Sequence, residues 1–458
     1  MMHASEPLRR GQIVELEVLD LAFGGKGVAK LNGLVVLISN AIPGDIVKAK
    51  ILKRKRSFAE AEVFEIIRES EKRTSPRCSH FGFCGGCVLQ NLKYEHQLEY
   101  KTKQVRDSLV HIGGFTDVEV SPIIGSEKLY FYRNKMEFSF DKNEQGELIL
   151  GLHPRGRYDQ VFDLKECFLQ SEPCNRIIAW IRGFFREKKL YTYDLKKHEG
   201  FLRYLTIREG KNTSEVMVNL VTNKGDFAYQ EEFAKGLTER FPQITSVVRN
   251  INPRLATIAV GEEEVLLSGK NFITEKVGDF NFDLSANSFF QTNSYQVEKL
   301  YDVVRGFCDL KGSENVLDLY CGTGTISIFL SPQAKKVIGV ESLAQSVEDA
   351  QRNASKNNVS NCEFLCGEAK KVLSELITRG EKFDIVVVDP PRAGLHPDVV
   401  SYLSDIKIDK LIYVSCNPAT LARDLKLFCE RDYKIDQVQP VDMFPHTPHI
   451  ETVVKLIL

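Results

Sequence analysis

The sequence has no long hydrophobic run. No stretch of the 458 residues approaches the roughly 18 consecutive apolar residues that a membrane helix needs. The first residues, MMHASEPLRRGQ, lack the apolar core of a secretory signal. Net charge is also nearly absent, at −1, so it argues neither for nor against a nucleic-acid partner. We therefore expect a cytoplasmic protein with no membrane association and no obligate protein partner, long enough for about two to four domains.

Cysteine, by contrast, is plentiful, with eleven residues. The odd number and the missing export signal argue against a disulfide framework and favour metal binding or catalysis. Cys78, Cys84 and Cys87 have the spacing C-x5-C-x2-C in a glycine-rich loop. A closed site needs a fourth ligand, for which Cys167 is the leading candidate and Cys174 the second. Four thiolates suit either tetrahedral zinc or an iron-sulfur cluster, and the spacing does not choose between them.

The first part of the chain alternates short β-type runs with Gly and Pro. Five such runs up to about residue 67 predict a small closed barrel. Residues 1–57 contain ten Lys and Arg against five Asp and Glu, and six of these basic residues fall in the nine positions 48–56. Such a run is either a solvated face or a groove that follows phosphates. The stretch resembles the RNA-binding TRAM domain, a barrel of the oligonucleotide-binding type.

A long amphipathic helix is predicted over residues 88–112, from leucine and valine residues near helical spacing. Residues 118–275 then have a mixed α and β pattern without a chemical signature. The predicted strands of this segment lie around residues 132–140, 148–152, 202–209, 215–222 and 246–252. Two of its stretches, FYRNKMEFSF and HPRGRYD, mix Arg, Lys and aromatic residues, as either a nucleic-acid surface or an ordinary half-buried sheet would.

The last third begins near FDLSANSFFQTN and predicts a nucleotide-type crevice. ENVLDLYCGTGTISIFLS reads as a buried strand, a tight loop at Gly322 and Gly324, and a helix. Its D-x-x-C-G-x-G pattern differs from the dinucleotide fingerprint, which disfavours NAD. A second strand ends at Glu341, 17 residues after Gly324, where an acceptor for ribose hydroxyls is expected.

Two further strands end in polar residues. A buried strand runs into Asp389 and two prolines, which fix the backbone so that the carboxylate and the following Arg392 point into the crevice. The next strand, LIYV, opens into Ser-Cys-Asn-Pro, so the sulfur of Cys416 is expected at the mouth of the crevice, where it could be a nucleophile. A small buried cysteine is the structural alternative.

Five motifs occur in one order along the last third: SFFQTN, DLYCGTGT, DPPRAGL, VSCNPATLARDL and DMFPHTPHIE. In this order they resemble the signatures of the bacterial RNA uracil-5-methyltransferases, and the front barrel and cysteine set resemble the branch that acts on 23S ribosomal RNA. The resemblance implies an α/β multidomain chain. It comprises a TRAM barrel at 1–70, a central α+β domain with an iron-sulfur cluster at 71–280, and a Rossmann-like class I methyltransferase domain at 281–458. Helix 88–112 could pack on the catalytic domain.

The resemblance also implies roles for individual residues. The cofactor is S-adenosylmethionine, and the catalytic pair is Cys416 with Glu451 as the base. The residues implied to hold the cofactor are Gln291, Tyr320, Glu341 and Asp389. The residues implied to hold a [4Fe-4S] cluster, with zinc as the alternative, are Cys78, Cys84, Cys87 and Cys167.

The chemistry of uracil fits such a set. Carbon 5 of uracil is too weak a nucleophile to take a methyl group directly from a sulfonium. A thiolate that adds to carbon 6 turns the ring into an enolate and makes carbon 5 reactive. Because the target base lies in folded RNA, we expect the enzyme to flip it out of its stack.

Other functions compete with this one. The nearest alternative target is transfer RNA. An adenine-amino methyltransferase would favour an aromatic residue after the two prolines, where this chain has Arg392, and a cytosine-5 enzyme would bring a different cysteine context. An RNA-binding iron-sulfur protein with an inactive methyltransferase domain is a further alternative, against which the intact Cys416 and Glu451 argue.

Overall fold

A computed structural model describes residues 8–256 and 258–458, and three sheets of six or seven strands follow one another along the chain. Residues 1–7 of the predicted barrel and residue 257 of the predicted central domain lie outside the described residues. No helix within the described ranges is long and apolar enough to cross a membrane.

The N-terminal sheet has six strands in the order β1-β5-β6-β4-β3-β2. The strands are β1 Ile13–Glu17, β2 Asp20–Ala22, β3 Lys26–Leu31, β4 Leu34–Ser39, β5 Ile46–Arg54 and β6 Phe58–Arg68. The sheet curls on itself where Leu19 N, just after β1, donates to Val28 O of β3 at 2.8 Å. The prediction of five strands was one short, because the first predicted strand is divided at Val18 and Leu19.

Alternation along β5 explains the basic run. Val47, Ala49 and Ile51 are fully buried, and Lys48 and Lys50 between them point away from the core. Because successive side chains of a strand face opposite sides, the apolar residues fix the register that turns the lysines to solvent.

The central sheet has seven strands in the order β13-β12-β11-β10-β7-β8-β9, antiparallel except for the pair β11 and β12. Its strands are β7 Lys135–Lys142, β8 Leu148–Leu152, β9 Phe162–Asp163, β10 Leu202–Glu209, β11 Val216–Thr222, β12 Ile244–Ile251 and β13 Glu263–Gly269. Its helices are α2 Glu172–Glu187 and α3 Gln230–Arg240. The hairpin β14 Phe272–Val277 and β15 Phe280–Ser285 follows as a separate two-stranded sheet. The strands predicted for this segment coincide with β7, β8, β10, β11 and β12.

The helix predicted over 88–112 is shorter at its start. Helix α1 spans Tyr94–Ser108 and continues as one wide helical turn, Leu109–Gly113. The backbone N–H groups of Val88 and Leu89 donate instead to His446 O, at 2.9 and 3.0 Å, which keeps this stretch out of the helix. Val105 and Leu109 belong to the hydrophobic core that underlies the C-terminal sheet. The helix therefore packs on the C-terminal sheet, as predicted for the domain expected to be catalytic.

The C-terminal sheet has the order β18-β17-β16-β19-β20-β22-β21, parallel except for the antiparallel β22. Its strands are β16 Asn315–Leu319, β17 Lys336–Glu341, β18 Cys362–Cys366, β19 Ile385–Val388, β20 Lys410–Ser415, β21 Lys434–Val441 and β22 Glu451–Ile457. Its helices are α4 Ser294–Cys308, α5 Thr325–Leu330, α6 Ala344–Lys356, α7 Ala369–Thr378, α8 Pro397–Asp405 and α9 Pro418–Cys429. This arrangement confirms the predicted class I methyltransferase fold, and its strand order reverses between β16 and β19, where ligands of such sheets bind.

Candidate active site

The loop after β16 forms one wall of the crevice. Tyr320, Gly322 and Gly324 all have positive φ, at 68°, 55° and 76°. A Cβ on Gly324 would lie 2.8 Å from the ring of Phe364, so the loop needs glycine there to pack against the sheet. A Cβ on Gly322 would meet nothing within 4 Å, so that side of the loop is open to a ligand. Half-buried Tyr320 packs against the hydrophobic core of the C-terminal sheet that also contains Val105 and Leu109.

Glu341 is tied to this loop from the end of β17. Its Oε2 accepts a hydrogen bond from Gly322 N at 3.2 Å, and its Oε1 accepts from Leu343 N at 2.9 Å and Ser342 Oγ at 3.0 Å. The carboxylate is thus held between the glycine loop and the start of α6. The structure thus places Glu341, the predicted ribose acceptor, at the end of β17 beside the glycine loop.

Two carboxyl groups, those of partly buried Asp389 and fully buried Asp318, lie behind the crevice. Asp389, at the end of β19, accepts from Gln291 Nε2 at 3.3 Å, and burial raises its pKa to about 7, with the nearby Asp318 adding to the shift. Burial likewise raises the pKa of Asp318 to about 7, although Ser327 Oγ donates to its Oδ2 at 2.5 Å. The second oxygen, Asp318 Oδ1, has no partner in the part of the chain that the structure describes.

Cys416 and Glu451 meet at the adjoining ends of β20 and β22. The antiparallel register pairs Ser415 with Thr452, which puts the following Cys416 beside the preceding Glu451. Glu451 is only 3% exposed, and burial raises its pKa well above the usual range, with Asp389 adding to the effect. Half-buried Cys416 has its pKa raised to about 11, by burial first and then by Glu451 and Asp389. A thiol and two carboxyl groups therefore share this end of the crevice.

Arg392 supplies a positive charge close to the Cys416 thiol and the Glu451 carboxyl group. Its contact with His449 could not be derived from the sequence. The guanidinium acts against the raised pKa values of both Cys416 and Glu451. Arg392 Nη2 lies 3.2 Å from His449 Nδ1 and 3.3 Å from its Nε2. Burial, and then Arg392, lower the pKa of His449 to about 4, so the ring is neutral at physiological pH.

Hydrogen bonds fix the loop that carries Arg392. Arg392 O accepts from Asn417 Nδ2 and Thr420 Oγ1, both at 3.2 Å, and so ties the loop to the start of α9. Fully buried Asp424 accepts from Leu395 N at 2.8 Å and Tyr413 OH at 2.7 Å. These bonds lock together the loops after β19 and β20. Of these features, the sequence predicted only the turn formed by Asp389 and the two prolines.

The four predicted cysteine ligands lie around one cavity. Cys78, Cys84, Cys87 and Cys167 all line a space of about 820 Å³, and Cys174 does not. Cys174 is instead fully buried in the first turn of α2, where its N–H donates to Ser171 Oγ. Within the described ranges no group of three or more His, Cys, Asp and Glu side chains is arranged to hold a metal ion. The thiols thus share a cavity without being drawn to one point.

Burial raises the pKa of all four thiols. For Cys87 it reaches about 12, with Cys167, Cys84 and Cys78 adding to the shift. Arg155 lies near enough to lower the pKa of Cys84 slightly. The chemistry of this donor set, four soft sulfur ligands lining one cavity, fits a metal group better than four permanently neutral thiols.

The cysteine loop also supports the segment that carries Glu451. Besides the bonds from Val88 and Leu89, His446 stacks on Tyr130 with ring centroids 4.4 Å apart. Four residues before His446, Asp442 forms an ion pair with buried Lys101 of α1, with 2.6 Å between Lys101 Nζ and Asp442 Oδ1. The stretch before Glu451 is therefore held by the cysteine loop and by α1, through contacts that no local sequence pattern signals.

Comparisons with known proteins agree with this arrangement. Residues 93–458 match the family model described as tRNA (uracil-5-)-methyltransferase, and residues 7–64 match that of the TRAM domain. The chain is 40% identical over 458 residues, covering 100% of both proteins, to one named an uncharacterized RNA methyltransferase from Halalkalibacterium halodurans. A protein of the same description from Chlorobaculum tepidum is 40% identical, over 97% of this chain and 96% of its own length.

A solved structure is also similar over nearly the whole chain. The tRNA (uracil-54, C5)-methyltransferase of Pyrococcus abyssi, in complex with S-adenosyl-L-homocysteine, matches with a TM-score of 0.78 and 34% sequence identity. The match covers 97% of this chain and 100% of that one.

Proposed function

The chain belongs to the tRNA (uracil-5-)-methyltransferase family, and we propose that it methylates carbon 5 of a uridine through a covalent bond between Cys416 and the base. It is an S-adenosylmethionine-dependent RNA methyltransferase with an N-terminal TRAM domain. The observation that carries the finer proposal is the adjacency of Cys416 and Glu451 at the ends of β20 and β22. The pair supplies a nucleophile and a proton acceptor on one side of the crevice.

Cys416 acts first. Its thiol is neutral before RNA binds, because its pKa is raised to about 11. The proton passes to solvent water when the thiol ionises, and Arg392 favours the resulting thiolate. The thiolate sulfur forms a bond to carbon 6 of the uracil, and the ring electrons move to carbon 5 and oxygen 4. S-adenosylmethionine supplies the methyl group that carbon 5 then takes.

Glu451 completes the reaction. Carbon 5 carries both a hydrogen and a methyl group after the transfer, and the proton must be removed before the ring can become aromatic again. A carboxylate with a raised pKa holds a proton strongly, which suits it to this task once it is ionised. Loss of the proton to Glu451 expels the Cys416 sulfur from carbon 6 and frees the enzyme.

Four residues hold the cofactor in this proposal. Glu341 binds the ribose hydroxyls, from its fixed position between the glycine loop and α6. Gln291 and Asp389, joined by a hydrogen bond, reach the methionine part and the uracil. Tyr320 packs beside the glycine loop, whose open side at Gly322 admits the ligand.

Cys78, Cys84, Cys87 and Cys167 hold a [4Fe-4S] cluster in the same proposal. Zinc would draw four sulfurs to within about 4 Å of one another, since each Zn–S bond is about 2.3 Å. The cavity that the four thiols line has a volume of about 820 Å³, which leaves room for a group larger than a single ion. The cluster would hold the cysteine loop in place, and methyl transfer itself requires no electron from it.

The domain limits and the cell compartment are part of the proposal. We assign residues 1–70 to the TRAM barrel, 71–280 to the central domain and 281–458 to the catalytic domain, and we place the protein in the cytoplasm. The target RNA is proposed as 23S ribosomal RNA, because the front barrel and the four cysteines resemble that branch of the family. Transfer RNA is the second candidate, because the similar structure from Pyrococcus abyssi is a tRNA enzyme.

The proposal is tested by methylation of defined RNAs. The purified protein is incubated with methyl-labelled S-adenosylmethionine and unmodified transcripts of 23S ribosomal RNA and of tRNA, and the nucleosides are analysed by mass spectrometry. Label in 5-methyluridine from one RNA is expected, and mapping then identifies the position. Label in a methylated adenosine or cytidine, or in neither RNA, would contradict the proposal.

A further inference from the structure

A second cavity lies on the central sheet, away from the cofactor crevice. Its volume is about 730 Å³. Ser139 and Phe140 of β7 and Tyr204 of β10 form its floor, and the segment from Thr192 to Lys196 forms one wall. We call this space the tyrosine pocket. Neither methyl transfer nor the thiol cavity accounts for it.

The inner wall of the tyrosine pocket is rigid. Arg203 donates from Nη1 to Asn252 O and Arg254 O, both at 2.6 Å, and from Nη2 to Ala256 O at 2.9 Å. Its guanidinium lies 4.3 Å from the ring centroid of Tyr193, which is itself only 7% exposed. The cation and the ring therefore hold their positions before any ligand arrives, which lowers the cost of binding.

The rim of the pocket is aromatic and exposed. Tyr158, which lines the pocket, is 85% exposed, and the nearby Tyr191 is 70% exposed. Lys142 Nζ lies 5.5 Å from the ring centroid of Tyr191 and also lines the pocket. Exposed aromatic rings beside basic side chains are the platforms on which single-stranded nucleic acids stack their bases.

The tyrosine pocket borders the thiol cavity. His153 and Tyr158 line both, and the thiol cavity reaches Phe289 and His449 at the mouth of the crevice. His153 Nδ1 lies 2.7 Å from Gln160 O and its Nε2 lies 3.0 Å from Ser139 Oγ. Because a carbonyl only accepts, Nδ1 carries a proton in its contact with Gln160 O. His153 therefore lies, held by two contacts, at the boundary between the two cavities.

The charges around the pocket favour a base over a phosphate. Three basic side chains line the pocket, those of Lys142, Lys196 and Arg203. Three acidic side chains balance their charge, those of Asp141, Asp159 and Asp194. A pocket of balanced charge gives no net attraction to a phosphate, whereas its hydrogen-bonding groups and rings suit the edge and the face of a nucleobase. The two sequence stretches that mix Arg, Lys and aromatic residues, around Phe140 and Tyr158, meet at this place.

We propose that the tyrosine pocket binds an unstacked nucleobase of the substrate RNA, a second base taken up beside the target uridine. The RNA strand runs from the crevice along the thiol cavity, and a base beyond it stacks on the exposed aromatic rim, where Tyr158 lines the pocket and Tyr191 lies beside Lys142. The inference rests on the proposed function only in taking RNA as the substrate. It makes the central domain a determinant of which RNA is chosen.

The test replaces the two exposed rings. In Tyr158→Ala/Tyr191→Ala the KM for the RNA that the wild type methylates should rise between about 5- and 150-fold, the range for loss of one base-aromatic stack. The kcat at saturating RNA and the KM for S-adenosylmethionine should stay unchanged, since neither ring touches the crevice. The matched control, Tyr158→Phe/Tyr191→Phe, keeps both ring faces and should retain the wild-type KM. An unchanged KM in the alanine variant would overturn the proposal.

Cross-linking gives an independent reading. The same transcripts, made with 4-thiouridine and irradiated with the wild-type protein, should yield an adduct on the peptide that contains Tyr158 or Tyr191. Adducts that map only to the barrel or the crevice would overturn the pocket assignment. The cross-link needs no methyl transfer, so RNA bound at these tyrosines but methylated at another atom would refute only the function proposed above.

Discussion

The catalytic crevice and the thiol cavity both contain thiols whose pKa is raised. The two regions differ in the number of thiols and in the positive charges that act against this rise. In both, burial raises the pKa of thiols, to about 11 for Cys416 and about 12 for Cys87. The crevice has one thiol, with Arg392 at its exposed edge to offset the neighbouring carboxyl groups. The cavity has four thiols, and Arg155 acts against the shift of only one of them.

The difference indicates which kind of partner would allow the thiols of each region to ionise. One thiol with its own counter-charge can ionise briefly when a substrate arrives, which is what a nucleophile needs. Four neighbouring thiols whose thiolates would repel one another ionise together only if a strong cation joins them, which is what a metal group supplies. The difference therefore supports the proposal of a nucleophile in the first region and of a metal group in the second.

The largest expected effect comes from removing the crevice thiol. Cys416→Ala should lower methyl transfer at least about 10⁴-fold, because no other side chain can form the bond to carbon 6. Binding of S-adenosylmethionine, measured by calorimetry, should remain. The control is Cys429→Ser, at the end of α9, which should keep its activity. Full activity in Cys416→Ala would end the covalent scheme.

Removing a thiol of the cavity tests the second region of the comparison, the proposed metal site. Cys87→Ser should abolish bound iron and its visible absorption after anaerobic purification. It should also cost about 2 kcal/mol or more in the free energy of unfolding, and so lower the unfolding temperature by roughly 4–8 °C. Cys174→Ala is the matched control and should keep its iron, since Cys174 lies outside the cavity. Equal zinc in both variants and no iron would contradict the cluster assignment.

A smaller effect is expected from removing the positive charge of Arg392. Cys416 alkylates as a thiolate, so its rate with iodoacetamide should rise with pH towards the pKa of about 11. Arg392→Gln removes a charge that lowers this pKa, so at pH 8 the rate should fall about 2- to 10-fold. Glu451→Gln removes a group that raises the pKa, so the rate should increase. Mass spectrometry of the Cys416 peptide separates it from the other cysteines, and a faster rate in Arg392→Gln would reverse the electrostatic account.

The same two regions show how far the sequence could lead. The crevice was predictable because each strand runs directly into its functional residue, as β19 does at Asp389 and β20 at Cys416. The meeting of Cys416 with Glu451 was available only through family resemblance, since it depends on the antiparallel register of β20 and β22.

Contacts between distant segments were not predictable. The start of α1 at Tyr94 depends on His446, whose carbonyl takes the N–H groups of Val88 and Leu89. The unpaired oxygen of Asp318 and the contact of Arg392 with His449 likewise arise only when separate loops are folded together. Local periodicity carries no information about such pairings.

The central claim is the covalent bond between Cys416 and the uracil, and trapping that bond tests it most directly. In Glu451→Gln the proton on carbon 5 has no acceptor, so the elimination step stalls after methyl transfer. Incubation with substrate RNA and methyl-labelled S-adenosylmethionine should then give a labelled protein-RNA band that survives denaturing electrophoresis and maps to Cys416. The account predicts no such band in Glu451→Gln/Cys416→Ala, and a band that persists there would contradict it.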